Sequence, residues 1–77
     1  MNTATDTTAG RILAAIDTAE RSHKWTADKA GIAISTFRRK VKGGGDFTVT
    51  EVLRIAQALG VHPADLLPEA FAQKVAA

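Results

Sequence analysis

Apolar residues recur at helical spacing in several segments of this 77-residue chain. In the first, apolar side chains follow the i, i+3, i+4, i+7 pattern of one helix face, at Ala9, Ile12, Leu13, Ile16 and Ala19. Asp6, Thr7 and Thr8 precede this stripe and each can serve as its N-cap. The preceding residues carry no apolar period. We therefore predict a loose arm over 1–8 and a helical domain over 9–68.

The next segment predicts two short helices in close succession. One runs from His23 to Ala30, capped by Ser22 and ended by Gly31, a residue suited to the left-handed C-terminal position. The other lies within about 34–42 and ends at Gly43. Its apolar stripe consists of Ile34, Phe37 and Val41.

A fourth helix has the clearest start. Thr48 and Glu51 have the spacing of a capping box, and Phe47 can pack on Val52 as a hydrophobic staple. The helix ends at Gly60, and its predicted inward residues are Val49, Val52, Ile55, Ala56 and Leu59.

Pro63 suits the first position of a fifth short helix that Pro68 would close or kink. The tail, 69–77, can add a helix with Phe71 and Val75 on one face. No strand pattern is present, so the fold class is all-α, a compact bundle of about five short helices. The cluster formed by Phe71, Val75, Leu66 and Leu67 fits a lid on the core and a dimer contact equally well.

Composition narrows the class of protein. The length supports one small core, and the absence of cysteine excludes disulfide scaffolds, cysteine zinc sites and thiol nucleophiles. We expect a soluble protein with no membrane span and no secretory signal, located in the cytoplasm. No combination of Ser, His and Asp suggests catalysis, and His23 and His62 have no third ligand at metal spacing. We expect no enzyme activity, no cofactor and no metal.

Charge is concentrated in the middle of the chain. Residues 21–42 contain seven lysines and arginines against Asp28 alone, a net charge of +6, whereas the whole chain has +2. Such a segment attracts phosphates, although on its own a charge run is more often a solvated face. If the segment binds nucleic acid, flexible charged side chains without fixed geometry fit phosphate contacts better than base reading, and these are Arg21, Lys24, Lys40 and Lys42.

The two short helices around Gly31 predict a helix–turn–helix made by helices 2 and 3. Ala27 and Ala30 allow close approach, and Ile32 can fill the corner. Arg38 and Arg39 can each pair bidentately with guanine O6 and N7, which makes the second helix suited to a major groove. Thr36, like Ser35, fits a DNA contact and helix capping equally well.

Three stretches resemble the phage lambda-repressor and Cro-like helix–turn–helix family, also called the XRE family. They are the turn Ala27-Asp28-Lys29-Ala30-Gly31-Ile32, the helix Ser35 to Gly43, and the helix end Ile55-Ala56-Gln57-Ala58-Leu59-Gly60-Val61. The resemblance covers about three quarters of the chain. It implies a lambda-repressor-like bundle that binds an operator as a homodimer, with the third helix in the major groove, in a bacterial or phage-infected cytoplasm.

The resemblance also implies residue roles. Base reading falls on Ile34, Ser35, Arg38 and Arg39, and phosphate binding on His23, Lys42 and the Gly43 to Gly45 loop, including Gly44. The turn and core of the motif fall on Ala27, Gly31, Ile32, Phe37 and Val41. Ile34 fits the apolar core as well as contact with a thymine methyl.

The chain departs from the family's pattern at three places. Ala33 stands where a capping Ser or Thr is usual, so helix 3 can alternatively begin after Ser35, which would then act as the cap. Thr26 occupies an expected core position, which Trp25 can fill if helix 2 rotates slightly. Lys40 occupies a slot that is often apolar, which passes the core role to Val41.

These observations predict a sequence-specific DNA-binding transcriptional regulator that occupies a palindromic operator as a dimer. An alternative is the antitoxin of a toxin–antitoxin pair, which binds both DNA and a protein partner. Another is a protein-interaction module that kept the fold without DNA binding.

Overall fold

The computed structural model describes residues 7–68, which form four α-helices and one turn of 3-10 helix and contain no strand. The α-helices are Thr8–Ala19 (α1), His23–Ala30 (α2), Ile34–Val41 (α3) and Val49–Leu59 (α4), and the 3-10 turn is Pro63–Leu66. The predicted all-α class is confirmed. The expected arm and tail lie outside the described residues, apart from Thr7 and Thr8, and so do Phe71 and Val75.

Side-chain caps define most helix starts. Thr7 caps α1 by accepting from the Gly10 N–H at 2.9 Å, and Ser22 caps α2 by accepting from the Trp25 N–H at 2.9 Å. Thr48 and Glu51 form the predicted capping box at the start of α4. The bounds of α2 and α4 agree with the predictions, because the signals that set them are local in sequence.

The core lies between the four α-helices, and α2 contributes its small buried residues Thr26, Ala27 and Ala30. Phe37 is fully buried at the centre of the core and packs edge-on against the Phe47 ring, with the centroids 5.8 Å apart. Val41 and Ile34 pack at the edge of the core, as the apolar stripe of α3 predicts. The buried apolar residues are Ile12, Ile16, Ala27, Ala30, Ile32, Phe37, Val52, Ile55, Ala56 and Leu66.

Two details of helix prediction were wrong. The fifth helix is only a 3-10 turn, because Leu67 is extended, as a residue before proline prefers, and Pro68 follows it. Val49 is 77% exposed rather than buried. It is the first residue of α4, where no earlier turn of the helix covers it. Together with Leu53 it borders a hollow of about 250 Å³ that is also lined by Phe47, Val52, Pro63 and Leu67.

The predicted rotation of α2 is also wrong. Thr26 is itself fully buried, and its hydroxyl donates to the Ser22 carbonyl oxygen at 2.9 Å. That bond lets a polar side chain occupy the core position without an unsatisfied donor. Trp25 is half-buried instead, and the Arg21 guanidinium lies 4.3 Å from the centre of its ring.

Candidate nucleic-acid interface

A three-residue turn joins α2 to α3. Gly31 adopts a left-handed conformation, φ 73°, which ends α2, and the Ile32 N–H then donates to the Ala27 carbonyl oxygen at 2.9 Å. Ile32 is 8% exposed and closes the corner between the helices, and Ala27 is fully buried. Ala27, Gly31 and Ile32, which were predicted for the turn, thus form a tight connection between α2 and α3.

One side of α3 faces solvent and carries positive charge. At about 100° per residue, Arg38, Lys42, Ser35 and Arg39 share an arc of about 100° on the side of the helix away from Phe37. All four are exposed. α3 contains no acidic residue, so nothing on the helix itself neutralises this surface. We call these four residues the α3 outer face.

Arg39 is held in place within this face. Its Nη1 donates to the Gly44 carbonyl oxygen at 2.6 Å, and the Gly44 N–H donates to the Arg39 carbonyl oxygen at 2.9 Å. Gly44 was predicted to bind phosphate, but its N–H is used in this bond within the protein. The side chains of Arg38 and Lys42, by contrast, have no hydrogen-bond or ion-pair partner among residues 7–68.

Ser35 does not cap α3. The helix begins at Ile34, with Ala33 in the cap position and no side-chain hydrogen bond there. The alternative start after Ser35 is therefore wrong, and the Ser35 side chain remains exposed on the outer face. Thr36, which is half-buried, does not cap the helix either. Ile34 is also half-buried and packs against the core, which is one of the two positions expected for it.

Lys40 lies elsewhere. Its Nζ is 2.7 Å from Glu51 Oε1, and the lysine side chain is only 12% exposed. An ammonium that already has a buried carboxylate partner gains little from a phosphate, so the predicted phosphate contact is replaced by an ion pair between α3 and α4. The core role expected of Val41 is confirmed, since Val41 packs against the core. Lys40 Nζ also lies 6.0 Å from the centre of the Phe47 ring.

The remaining predicted phosphate contacts lie on or next to α2. Lys24 pairs with Asp28 at 2.9 Å, but both side chains are more than half exposed, so the pair is weak and can exchange for another anion. Arg21 lies over Trp25 and keeps its hydrogen-bond donors at the surface. His23 is exposed at the first position of α2, and its ring packs edge-on against Phe37, with the centroids 6.0 Å apart.

Some residues at this site were missed by the sequence reasoning. Glu51 was expected only in the capping box, yet it also anchors α3. Gly45 was expected only as part of a phosphate-binding loop, yet its backbone passes so close to Arg39 that a Cβ there would lie 2.9 Å from Nη1. The run of three glycines could have indicated the close approach of the loop to Arg39, because glycine allows close backbone approach.

Two other features bear on the class of protein. Within the described part of the chain, no group of three or more His, Asp and Glu side chains could hold a metal ion. None of the helices described is long and apolar enough to cross a membrane.

The fold and the site thus define a small all-helical domain with a helix–turn–helix and a basic outer face on its second helix. A family model, the BetR domain, matches residues 2–76, nearly the whole chain, and the chain belongs to this family. The assignment to the phage-repressor, Cro-like or XRE family was therefore wrong, because the family model that matches is a different one. No similar curated protein and no similar solved structure was found.

Proposed function

We propose that this BetR-domain protein binds double-stranded DNA sequence-specifically and regulates transcription by occupying an operator. The observation that carries the proposal is the α3 outer face, on which Ser35, Arg38, Arg39 and Lys42 project to solvent from a helix without acidic residues. A helix of this kind fits the major groove of DNA. There an arginine guanidinium can pair with guanine O6 and N7, and a serine hydroxyl can bind hydrogen-bond donors or acceptors on the bases.

The distribution of charge also supports an orientation in which α3 faces the DNA. Of the basic residues in 21–42, only Lys24 and Lys40 form ion pairs within the described chain, and the Lys24 pair is exposed. Arg21, Lys29, Arg38, Arg39 and Lys42 therefore contribute uncompensated charge. Phosphates would be attracted to this side of the protein, which brings α3 to the groove first.

We infer a dimer from the small size of the domain, which has one reading helix. One reading helix covers only a few base pairs, so useful specificity requires a second subunit and an approximately palindromic site with half-sites about 34 Å apart. The exposed Val49 and Leu53 beside the apolar hollow support a protein contact, since exposed apolar surface of this kind commonly marks one. The same surface would serve a protein partner of a different kind, as the antitoxin alternative requires.

Selection of bound sites from random duplex DNA at about 0.15 M salt tests the proposal. We expect a palindromic consensus, and an affinity whose logarithm falls with log salt at a slope of about −0.9 per phosphate contacted. Arg38→Ala should reduce the slope by about one contact, whereas Arg54→Ala, which removes the same charge from α4, should leave the selected site unchanged.

Other outcomes favour the alternatives. Recovery of no consensus, with affinity independent of salt, would contradict DNA binding and favour the protein-interaction module. A consensus together with a stoichiometric co-purifying protein that is lost in Leu53→Asp would favour the antitoxin. Sedimentation of the parent protein with and without its site would show whether two copies bind.

A further inference from the structure

Arg39 and Gly44 are joined by two reciprocal hydrogen bonds. The guanidinium Nη1 donates to the Gly44 carbonyl oxygen at 2.6 Å, and the Gly44 N–H donates to the Arg39 carbonyl oxygen at 2.9 Å. The second bond fixes the loop after α3 against the helix end, and the first fixes the arginine side chain against that loop. The side chain is thus oriented although it is exposed.

The loop accommodates this arrangement only because it is made of glycine. A Cβ at Gly44 would lie 2.7 Å from Arg39 Cγ and 3.0 Å from the Arg39 carbonyl oxygen. A Cβ at Gly45 would lie 2.9 Å from Arg39 Nη1. The first distance involves the stem of the arginine rather than its flexible end, so a side chain at Gly44 would displace Arg39.

The bond to Gly44 leaves most of the guanidinium free to bind. The group has five N–H donors in a planar fork, and Nη1 uses one of them on Gly44. The opposite edge, formed by Nε and Nη2, has no partner among residues 7–68. Two parallel donors on that edge match the O6 and N7 acceptors of guanine.

We propose that Gly44 is a positioning residue that aims the Nε–Nη2 edge of Arg39 at a guanine, which makes Arg39 the specificity-determining arginine of α3. The proposal rests on the DNA-binding function proposed above. Arg38 has no such support and contributes charge, since an unrestrained side chain must be ordered on binding. Neighbouring arginines in one helix therefore have different roles.

The test compares affinity for the selected site with affinity for sites that carry single base-pair substitutions. Parent protein should lose about 5- to 150-fold at one G·C pair per half-site. Arg39→Ala and Gly44→Ala should each abolish that discrimination. Arg39→Lys, which keeps the charge but not the fork, should also abolish it while leaving the salt dependence unchanged.

Two controls separate positioning from damage to the loop. Gly43→Ala strains a backbone at φ 92° but places its Cβ in open space, so discrimination should persist. In the double variant Arg39→Ala with Gly44→Ala, the loss should equal that of Arg39→Ala alone, because the displaced side chain is absent. Circular dichroism establishes that each variant folds, and Arg39→Lys decides the role of Arg39 if Gly44→Ala does not.

The outcomes are distinguishable. If the parent protein shows no preference for any site, the proposed DNA-binding function fails. If the parent discriminates but Arg39→Lys or folded Gly44→Ala keeps the full discrimination, the function stands and this inference is overturned. Loss of discrimination in Arg38→Ala instead would assign the reading role to the other arginine and would also overturn it.

Discussion

Lys40 Nζ lies 2.7 Å from Glu51 Oε1, in an ion pair whose side chains are 12% and 18% exposed. The same carboxylate oxygen accepts the Thr48 N–H at 2.8 Å, which closes the capping box of α4. One carboxylate therefore caps the start of α4 and also binds the Lys40 side chain of α3. Through this atom the C-terminal half of α3, which carries Arg38 and Arg39 of the outer face, is fixed relative to the start of α4.

Lys40→Met should destabilise the protein by about 1 to 3 kcal/mol, because it leaves the Glu51 carboxylate largely buried without its cation. Urea unfolding measures the change. The matched control is Lys24→Met, which removes the exposed pair with Asp28 and should cost no more than about 0.5 kcal/mol. Equal effects of the two substitutions would show that the Lys40 pair is no stronger than a surface pair.

Glu51 should make stability depend on acid pH. Burial alone raises the pKa of its carboxyl, but the hydrogen bonds and charge of Lys40, together with hydrogen bonds from Thr48, outweigh burial and lower the pKa below its ordinary value. The folded protein thus binds fewer protons here than the unfolded chain does. The stabilisation is complete above the ordinary pKa of the unfolded carboxyl, about 4.5, and is lost as the pH falls through the lowered folded pKa.

Comparison with Glu51→Gln isolates this contribution from that of other carboxylates. At about pH 6 the variant should have the lower free energy of unfolding, and the difference from the parent should shrink as the pH falls to about 2. Denaturant unfolding at each pH gives both values. A difference that stays constant over this range would contradict the role assigned to the Glu51 charge.

Local signals explain why so much of the fold was predictable. The cap at Ser22, the left-handed end at Gly31 and the box at Thr48 each depend on residues within a few positions, so their outcome is visible in the sequence. The stripe Ile34, Phe37 and Val41 identifies the buried side of α3, and therefore also its outer face.

The remaining features depend on tertiary contacts. Lys40 and Glu51 lie on different helices that are joined by the glycine loop, so no local spacing indicates their contact, and the lysine was assigned to phosphate because of its charge. Val49 continues the apolar stripe of α4, but no neighbouring element covers its side chain, which is exposed. The family was missed for another reason, because the resemblance rested on three short stretches, whereas the family model matches residues 2–76.

Substitutions at Thr26 should separate the role of its hydroxyl from that of its volume. Thr26→Val keeps nearly the same shape and loses one hydrogen bond, and the Ser22 carbonyl oxygen still accepts the Thr26 backbone N–H at 3.1 Å. We expect a cost of about 1 kcal/mol. Thr26→Ala also leaves a cavity at a fully buried site and should cost clearly more. A lower free energy of unfolding for Thr26→Val than for Thr26→Ala would contradict this packing role.

The uncapped start of α3 gives a site for stabilisation. Ala33 is exposed, has φ −59° and ψ 136°, and occupies the cap position without a side-chain acceptor. Ala33→Ser should therefore raise the free energy of unfolding by about 0.5 to 1 kcal/mol, since serine can accept an N–H from the first turn. Thermal or urea unfolding of the purified variant measures the gain.

Replacing Ser22 and Ser35 by alanine should change the free energy of unfolding by different amounts. Ser35→Ala should leave stability within about 0.5 kcal/mol of the parent, because Ser35 lies inside α3 and caps nothing. Ser22→Ala should cost about 1 kcal/mol, because it removes the acceptor for the Trp25 N–H. A comparable loss in Ser35→Ala would mean that α3 begins at Thr36 in solution, two residues later, which would remove Ser35 from the outer face and from the proposed DNA contact.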